Sequence, residues 1–281
     1  MPAYEEAAVT AAAARLRLVA DPRRRRQGEG ARLGSGHGAS LEFHDHRAYA
    51  PGDDLRHLDW SAYARSGQLM IRRHRKEVSP RLELLLDTSA SMAIDPLKAG
   101  LAASLAALLA TLAERDGGRP RLWTMGGTPR QLAAPWRPAL RQSACAGAAG
   151  LAAHPGPALA AGAERILVSD GLCPEGPAAV VKGLGREAGS LCLVQVLTRR
   201  ELDPLAAGAV RLVDVEGGEA DLVADAAAVA GYKQRLARLQ AGWSSALHGR
   251  GAGVVTVVAE DGFDVAVRGL LRGGVVVGTT A

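Results

Sequence analysis

The chain has 281 residues and a mass of 29.1 kDa, enough for one large domain or two small ones. Hydrophobic residues make up 48% and charged residues 22%, which excludes disorder, a collagen-like repeat and a coiled-coil rod, while aromatics at 4% leave the core to aliphatic side chains. The net charge of +5 arises wholly in the N-terminal part, since residues 1–81 hold 15 Lys or Arg against 10 Asp or Glu and the remainder holds 19 of each.

The longest nearly uncharged apolar stretch, 99–113, has 15 residues, fewer than the ~18 that span a bilayer. Glu5 and Glu6 precede any apolar run and no small-residue cleavage pattern follows one, so neither a membrane partner nor a secretory signal is expected. Cys145, Cys173 and Cys192 are odd in number and widely spaced, supporting neither a disulfide framework nor a C-x-x-C metal site. A cytoplasmic location is the expectation.

Residues 4–19 are Ala-rich with few large aliphatics and predict a marginal helix that ends before Asp21-Pro22. The Arg23 to Arg26 run that follows reads as a solvated connector; without an aromatic stacking platform it makes nucleic acid an unlikely partner. The glycines of 27–40 do not fit G-x-G-x-x-G, and residues 41–80 predict an irregular, strand-rich lead-in. Within it His44-Asp45-His46 puts two imidazoles on one side of an extended segment, but no His-Glu-x-x-His helix or cysteine pair completes a zinc site.

From residue 81 the register changes. Leu82, Leu84, Leu85 and Leu86 form a short apolar run suited to a strand buried on both faces. Asp95 can cap a helix with Pro96 at its first position, and Leu97, Leu101, Leu105, Leu108, Leu109 and Leu112 recur at helical spacing. Further strands are predicted at 121–125, 130–133, 165–169, 191–197, 210–215 and 254–258, with helices at 137–153, 177–188 and 226–247. Such alternation predicts an open, mostly parallel, doubly wound α/β sheet. The expected organisation is a helix and basic connector over 1–35, a lead-in over 36–80 and the α/β domain over 81–281.

Ligands of an open parallel sheet bind beyond the carboxyl ends of its strands. Two loops stand there: Asp87-Thr88-Ser89-Ala90-Ser91 and Ser169-Asp170-Gly171. A carboxylate followed by hydroxyls two and four positions on, joined by a second carboxylate, presents the hard oxygen donors that suit Mg²⁺. The competing reading is local: the serines cap the next helix and Asp87 accepts backbone N–H groups. No G-x-S-x-G elbow, P-loop or recognised catalytic cysteine appears.

The pairing of Asp87-x-Ser89-x-Ser91 with a later Ser169-Asp170-Gly171 resembles the metal-ion-dependent adhesion site of von Willebrand factor type A domains. Those domains also supply a Thr from an intermediate loop, whereas residues 136–164 contain no Thr and one hydroxyl, Ser143. The run Arg47-Ala48-Tyr49-Ala50-Pro51-Gly52-Asp53-Asp54-Leu55-Arg56-His57-Leu58-Asp59-Trp60, with Ala64-Arg65 after it, looks like the signature of the bacterial family called domain of unknown function 58. The segment 210–219 resembles that family as well.

The resemblance covers roughly 36–281 and implies a signature segment over 36–80 that packs on a von Willebrand factor type A-like domain over 81–281, with Asp87, Ser89, Ser91 and Asp170 as metal ligands and weak or partner-dependent Mg²⁺. It also implies a non-enzymatic role as adaptor or assembly partner of a MoxR-type AAA+ ATPase, the crevice receiving an acidic residue of the partner. A metal-dependent hydrolase using the same carboxylates is the alternative, and nucleic-acid binding through the basic segment a third. In the signature itself, Ala50-Pro51-Gly52-Asp53 suits a tight turn. Arg47, Arg56 and Arg65 can pair with Asp53, Asp54 and Asp59, and Tyr49 and Trp60 read as packing residues.

Overall fold

The computed structural model describes residues 4–19, 43–50, 58–74, 81–145, 147, 150–151, 157–205, 208–213, 219–248 and 253–279. They fall into two units, residues 1–27 with 80–281, and residues 28–79.

In chain order the elements are α1 (Glu6–Arg15), β1 (Leu16–Leu18), β2 (Phe43–Ala48), α2 (Trp60–Ser66), β3 (Met70–His74), β4 (Leu82–Leu86) and α3 (Pro96–Arg115). There follow β5 (Arg121–Thr124), β6 (Arg130–Gln131), α4 (Trp136–Gln142), β7 (Glu164–Ser169), α5 (Pro177–Leu184) and β8 (Ser190–Leu197). The chain continues through α6 (Arg199–Leu202), β9 (Gly208–Val213), β10 (Glu219–Ala224), α7 (Ala226–Leu247), β11 (Val254–Val258), α8 (Gly262–Arg272) and β12 (Val276–Gly278).

The large unit is built on a six-stranded sheet in the order β11-β8-β7-β4-β5-β6. Every pairing in it is parallel except β5 with β6 at one edge. This is the mixed α/β, mostly parallel sheet expected from the alternation of patterns. Side chains alternate across the strands: Leu82, Leu84, Leu86, Ile166, Val168 and Val194 pack with α1, α3, α4 and α8 on one face. On the other face Leu85, Leu167 and Leu193 pack with Val180, Val181 and Leu184 of α5 and Trp243 and Leu247 of α7.

The chain leaves β4 for one side of the sheet through α3 and leaves neighbouring β7 for the other side through α5. The crevice that opens where successive connections diverge is where ligands bind in such sheets, and it lies between the ends of β4 and β7.

α3 begins as expected, with Asp95 accepting the Leu97 N–H at 2.7 Å and Pro96 in the first turn. It is 20 residues long with a mean hydropathy of 1.6, so by length and composition it could cross a membrane. The apolar stretch judged too short thus lies in a helix long enough, extended at both ends by residues outside the uncharged run. Here the helix is the centre of the core, with Leu105, Leu108 and Leu109 wholly buried.

Tertiary contacts reshape several expected elements. The helix expected over 137–153 ends at Gln142, and beyond it Gly147 pairs with another loop: its N–H donates to the Thr88 carbonyl and its carbonyl accepts from the Ala90 N–H. Strand β9 does not join the main sheet; it pairs antiparallel with β10 in a hairpin of its own. The segment 210–219 that resembles the family coincides with this hairpin, residues 214–218 lying outside the described set.

The N-terminal helix also gains partners that its weak apolar pattern does not announce. Val9 and Ala13 are buried against α3, the Glu5 N–H donates to Ser104 Oγ at 3.1 Å, and β1 pairs antiparallel with β12 near the C-terminus. Helix α8 and strand β12 lie beyond the expected set, although Phe263, Val267 and Leu270 sit at helical spacing.

In the small unit β2 and β3 form an antiparallel pair, and α2 starts at an N-cap aspartate.

Candidate functional site

The tight loop after β4 is held by Asp87. Its Oδ1 accepts the Ser89 N–H at 2.8 Å, and its Oδ2 accepts the Ser169 hydroxyl at 2.6 Å across the gap between the strands. The Asp170 Oδ1 accepts the Leu172 N–H at 2.9 Å, and the Ser91 hydroxyl donates to the Asp170 Oδ2 at 2.7 Å. Ser89 Oγ lies 3.0 Å from Ser91 Oγ. All four residues read from the sequence as ligands are therefore brought together, with Asp87 and Asp170 at adjacent strand ends on one edge of the sheet.

The turn at Gly171 needs a glycine, because its φ is +69° and a Cβ there would lie 2.8 Å from Trp243 Nε1. That indole N–H donates to the Gly171 carbonyl at 2.9 Å, while the Gln195 side-chain amide donates to the Asp170 carbonyl, also at 2.9 Å. The peptide carrying Asp170 is thus fixed from below by α7 and β8.

Two further charged residues complete the site. Strands and the helices that follow them run in opposite directions, so α3 starts at the carboxyl edge of the sheet. Helical side chains tilt toward the helix N-terminus, which aims Lys98 of the first turn back at the crevice. Its Nζ is fully buried and donates to the Asp170 Oδ2 at 2.9 Å, the Glu201 Oε1 at 2.7 Å and the Ser91 carbonyl at 3.1 Å. An ammonium has three donors, and all three are engaged.

Glu201 is placed by a capping box at the end of β8. Thr198 Oγ1 accepts the Glu201 N–H, and the Glu201 Oε2 accepts the Thr198 N–H at 2.7 Å. The Tyr232 hydroxyl of α7 donates to the Glu201 carbonyl at 2.8 Å.

The electrostatics follow from burial. Desolvation, followed by the charge of Asp170, raises the Asp87 carboxyl from 3.8 to about 6 against the opposing hydrogen bonds from Ser169 and Ser89. Burial alone would lower Lys98, but Asp170 and Glu201 outweigh it, so the net shift is upward and the amine stays protonated. Burial pushes the thiols of Cys145 and Cys173 up to about 11, which leaves them unreactive at neutral pH.

The residues fit a divalent ion poorly. The intermediate loop does reach the crevice, but it arrives as Gly147 in a parallel bridge with Ser89. A Cβ at Gly147 would lie 2.2 Å from the Gly126 backbone, so a threonine cannot occupy that place without moving the loops. Ser143 does not substitute, since its hydroxyl donates to the Ala139 carbonyl at 2.9 Å and caps the end of α4. Asp170 Oδ2 already receives an ammonium and a hydroxyl. Among the described residues no group of three or more His, Cys, Asp or Glu could hold a metal.

Of the signature residues, Pro51, Gly52, Asp53, Asp54 and Arg56 lie outside the described set, as do His57 and Arg23 to Arg26. Arg47 falls within β2, and the Tyr49 N–H donates to the Leu69 carbonyl at 2.9 Å. The Asp59 Oδ1 accepts the N–H groups of Ser61 and Ala62, making it the N-cap of α2. Arg65 lies in the last turn of that helix. Trp60, read as a packing residue, is instead 65% exposed and meets Tyr63 edge to face, because the one buried side chain of this short helix is Ala62.

Lys98 and Glu201 are the residues that sequence reasoning missed. Both left a signal. Thr198-x-x-Glu201 is a capping box directly after a buried strand, and Lys98 is one of four lysines in a chain whose other 30 basic residues are arginines.

Residues 45–241 match the model of the family described as protein of unknown function DUF58. The chain belongs to that family. Among solved structures it is similar to an aerotolerance-related membrane protein from Bacteroides fragilis NCTC 9343, a form carrying multiple mutations to serines, at 14% identity and a TM-score of 0.36. That alignment covers 69% of this chain and 99% of the other. No curated protein matches.

Proposed function

We propose that this DUF58 chain is a non-enzymatic protein-interaction module with a von Willebrand factor type A-like fold, which docks a partner at the carboxyl edge of its sheet. Strand order supports the fold: β4 is central, and its Asp-x-Ser-x-Ser loop adjoins the Ser-Asp-Gly loop of β7.

The observation that carries the function is the rim of the crevice. Ile94 lies between β4 and α3, Leu97 in the first turn of α3, Leu172 after β7, and Leu205 beyond α6. They are 58%, 56%, 36% and 83% exposed, on segments that follow the carboxyl ends of three neighbouring strands, the edge of the sheet at which the polar crevice lies. Exposed apolar side chains gathered about a few convergent polar groups mark interaction surfaces. The chemistry is apolar burial at the rim with a hydrogen bond to the half-buried Ser91 hydroxyl.

Turnover has less support. The Lys98 ammonium is protonated and triply engaged, so among the described residues no amine base faces the serines. A partner carboxylate was expected to complete the shell of a bound Mg²⁺; with the residues fitting that ion poorly, no step runs through it. Membership in the family, whose members are often encoded beside MoxR-type AAA+ ATPases, points to such an ATPase as partner. The reading is tested by mixing the purified chain with the MoxR-type ATPase of the same genome and measuring binding with and without ATP. Binding that is lost in Leu97→Ser with Leu205→Ser, in a protein of unchanged melting, supports it. Absence of binding by the unaltered chain overturns it.

A further inference from the structure

Lys98 stands where a lysine is unfavourable on three counts. It lies in the first turn of α3, where the helix dipole opposes a cation; it is fully buried, which disfavours its charge; and its four-carbon stem gives up its rotamer freedom. The surroundings compensate for all three. Asp170 directly follows β7, Glu201 lies in α6 just beyond the neighbouring β8, and the Ser91 carbonyl takes the remaining proton.

These acceptors are the parts of the crevice that a divalent ion would organise. Ser91 and Asp170 belong to the two loops that make up an adhesion-type site, and the ammonium bonds to both. An ion bound through Asp170 and Ser91 would have to share a carboxylate group with Lys98 and bear the repulsion of its charge. The loop opposite contributes the Gly147 backbone rather than a hydroxyl, and Ser143 is engaged at the end of α4. One positive charge is therefore built into the chain at the place where the intermediate loop supplies a glycine instead of the hydroxyl that an added one would use.

We propose that Lys98 is the resident cation of the crevice: its ammonium holds the Ser91 and Asp170 loops and Glu201 in their working arrangement, and the crevice operates without a metal ion. This rests on the crevice being the docking site, and it deepens that reading by making docking indifferent to Mg²⁺ and to chelators. Lys98 acts as a positioning residue, since it is buried beneath the surface that a partner would touch.

The full chain, freed of metal with EDTA, is titrated calorimetrically with MgCl₂ and with MnCl₂ alone, and its melting is recorded with and without each ion. For the unaltered chain the expected result is no saturable heat and a melting shift under about 1 °C at about 5 mM ion. Lys98→Met is expected to melt about 6 °C or more lower, because the buried Asp170 and the partly buried Glu201 lose their cation, and to gain a rise in melting with Mg²⁺ that the unaltered chain lacks. Should Lys98→Met not fold, Lys98→Met combined with Glu201→Gln, which removes one carboxylate with the cation, is measured in its place.

Saturable binding of either ion to the unaltered chain with a Kd below about 1 mM, lost in Asp87→Asn, overturns the proposal. So does a lysine variant that melts lower yet responds to neither ion, which would reduce Lys98 to a structural ion pair. Failure of the docking reading is a separate result: it shows as no ATPase binding by the unaltered chain whatever the ion titrations give.

Discussion

Strand β4 carries a buried carboxylate near each end, and the two ends use it differently. At the amino end Glu83 accepts from the Arg121 guanidinium, from the Trp123 indole at 2.8 Å and from the Ala160 N–H at 3.1 Å. Beside it Arg165 donates to the carbonyls of Leu184, Arg186 and Ala160. Opposite charges and backbone groups are matched there, and the result is a brace that ties loops to the sheet. At the carboxyl end Asp87 faces Asp170, a like charge, and the balancing cation arrives from a helix. Juxtaposed like charges carry an energetic penalty that an architectural brace has no reason to retain, and such frustration clusters at functional sites. The difference separates a buried ionic network that serves the fold from one that serves a surface.

Removing one carboxylate from each end is the sharpest way to break this comparison. Asp170→Ala leaves the buried Lys98 ammonium with one partner fewer and is expected to destabilise by about 3–5 kcal/mol. Glu83→Ala strips the Trp123 indole and the Ala160 N–H of their acceptor and the partly exposed Arg121 of its counter-charge, and is expected to destabilise by about 1–3 kcal/mol. Only Asp170→Ala should abolish ATPase binding in the folded fraction. Denaturant unfolding and binding assays on the same preparations check this, and loss of binding in both variants would erase the distinction.

The next effect is one of pH. A carboxyl whose folded value is raised from 3.8 to about 6 favours the folded state while it is protonated, so its contribution is greatest below about pH 4 and is lost as pH rises through about 6. The difference is on the order of 3 kcal/mol. Asp87→Asn should therefore melt higher than the unaltered chain at pH 7, and the two melting profiles should converge below pH 4. A gap that instead widens toward acid would show that the carboxylate form stabilises the loop.

A smaller loss is expected for Gly171→Ala, about 2 kcal/mol, from the positive φ and the contact with Trp243. Its readout is melting together with the near-ultraviolet signal of the indole, which should change if the turn shifts. Smallest is Leu205→Ser on the rim, within about 0.5 kcal/mol of the unaltered stability but with weakened docking. A Leu205→Ser chain that binds as before would place the partner elsewhere on the molecule.

The amino-acid sequence by itself determined what short-range physics controls. Four leucines in five residues make β4 a strand buried on both faces, Asp95-Pro96 starts α3, and Asp87-x-Ser89-x-Ser91 and Ser169-Asp170-Gly171 fold into loops that use their own side chains on their own backbone. The local turns are settled within a few residues, so the strand-helix alternation and the two loops were readable in advance, whereas the bonds from Ser91 to Asp170 and from Ser169 to Asp87 that join them span 79 and 82 residues.

Tertiary structure decided the rest. Lys98 looks like an ordinary solvated charge on the helical pattern, yet its partners Asp170 and Glu201 lie 72 and 103 residues away. The alanine-rich stretch after α4 has the propensity of a helix, yet Gly147 leaves it to pair with Thr88 and Ala90. In both cases a local preference worth a few tenths of a kcal/mol per residue yields to the larger requirement that a buried charge or a buried backbone group find a partner, and only the folded chain shows which partner that is.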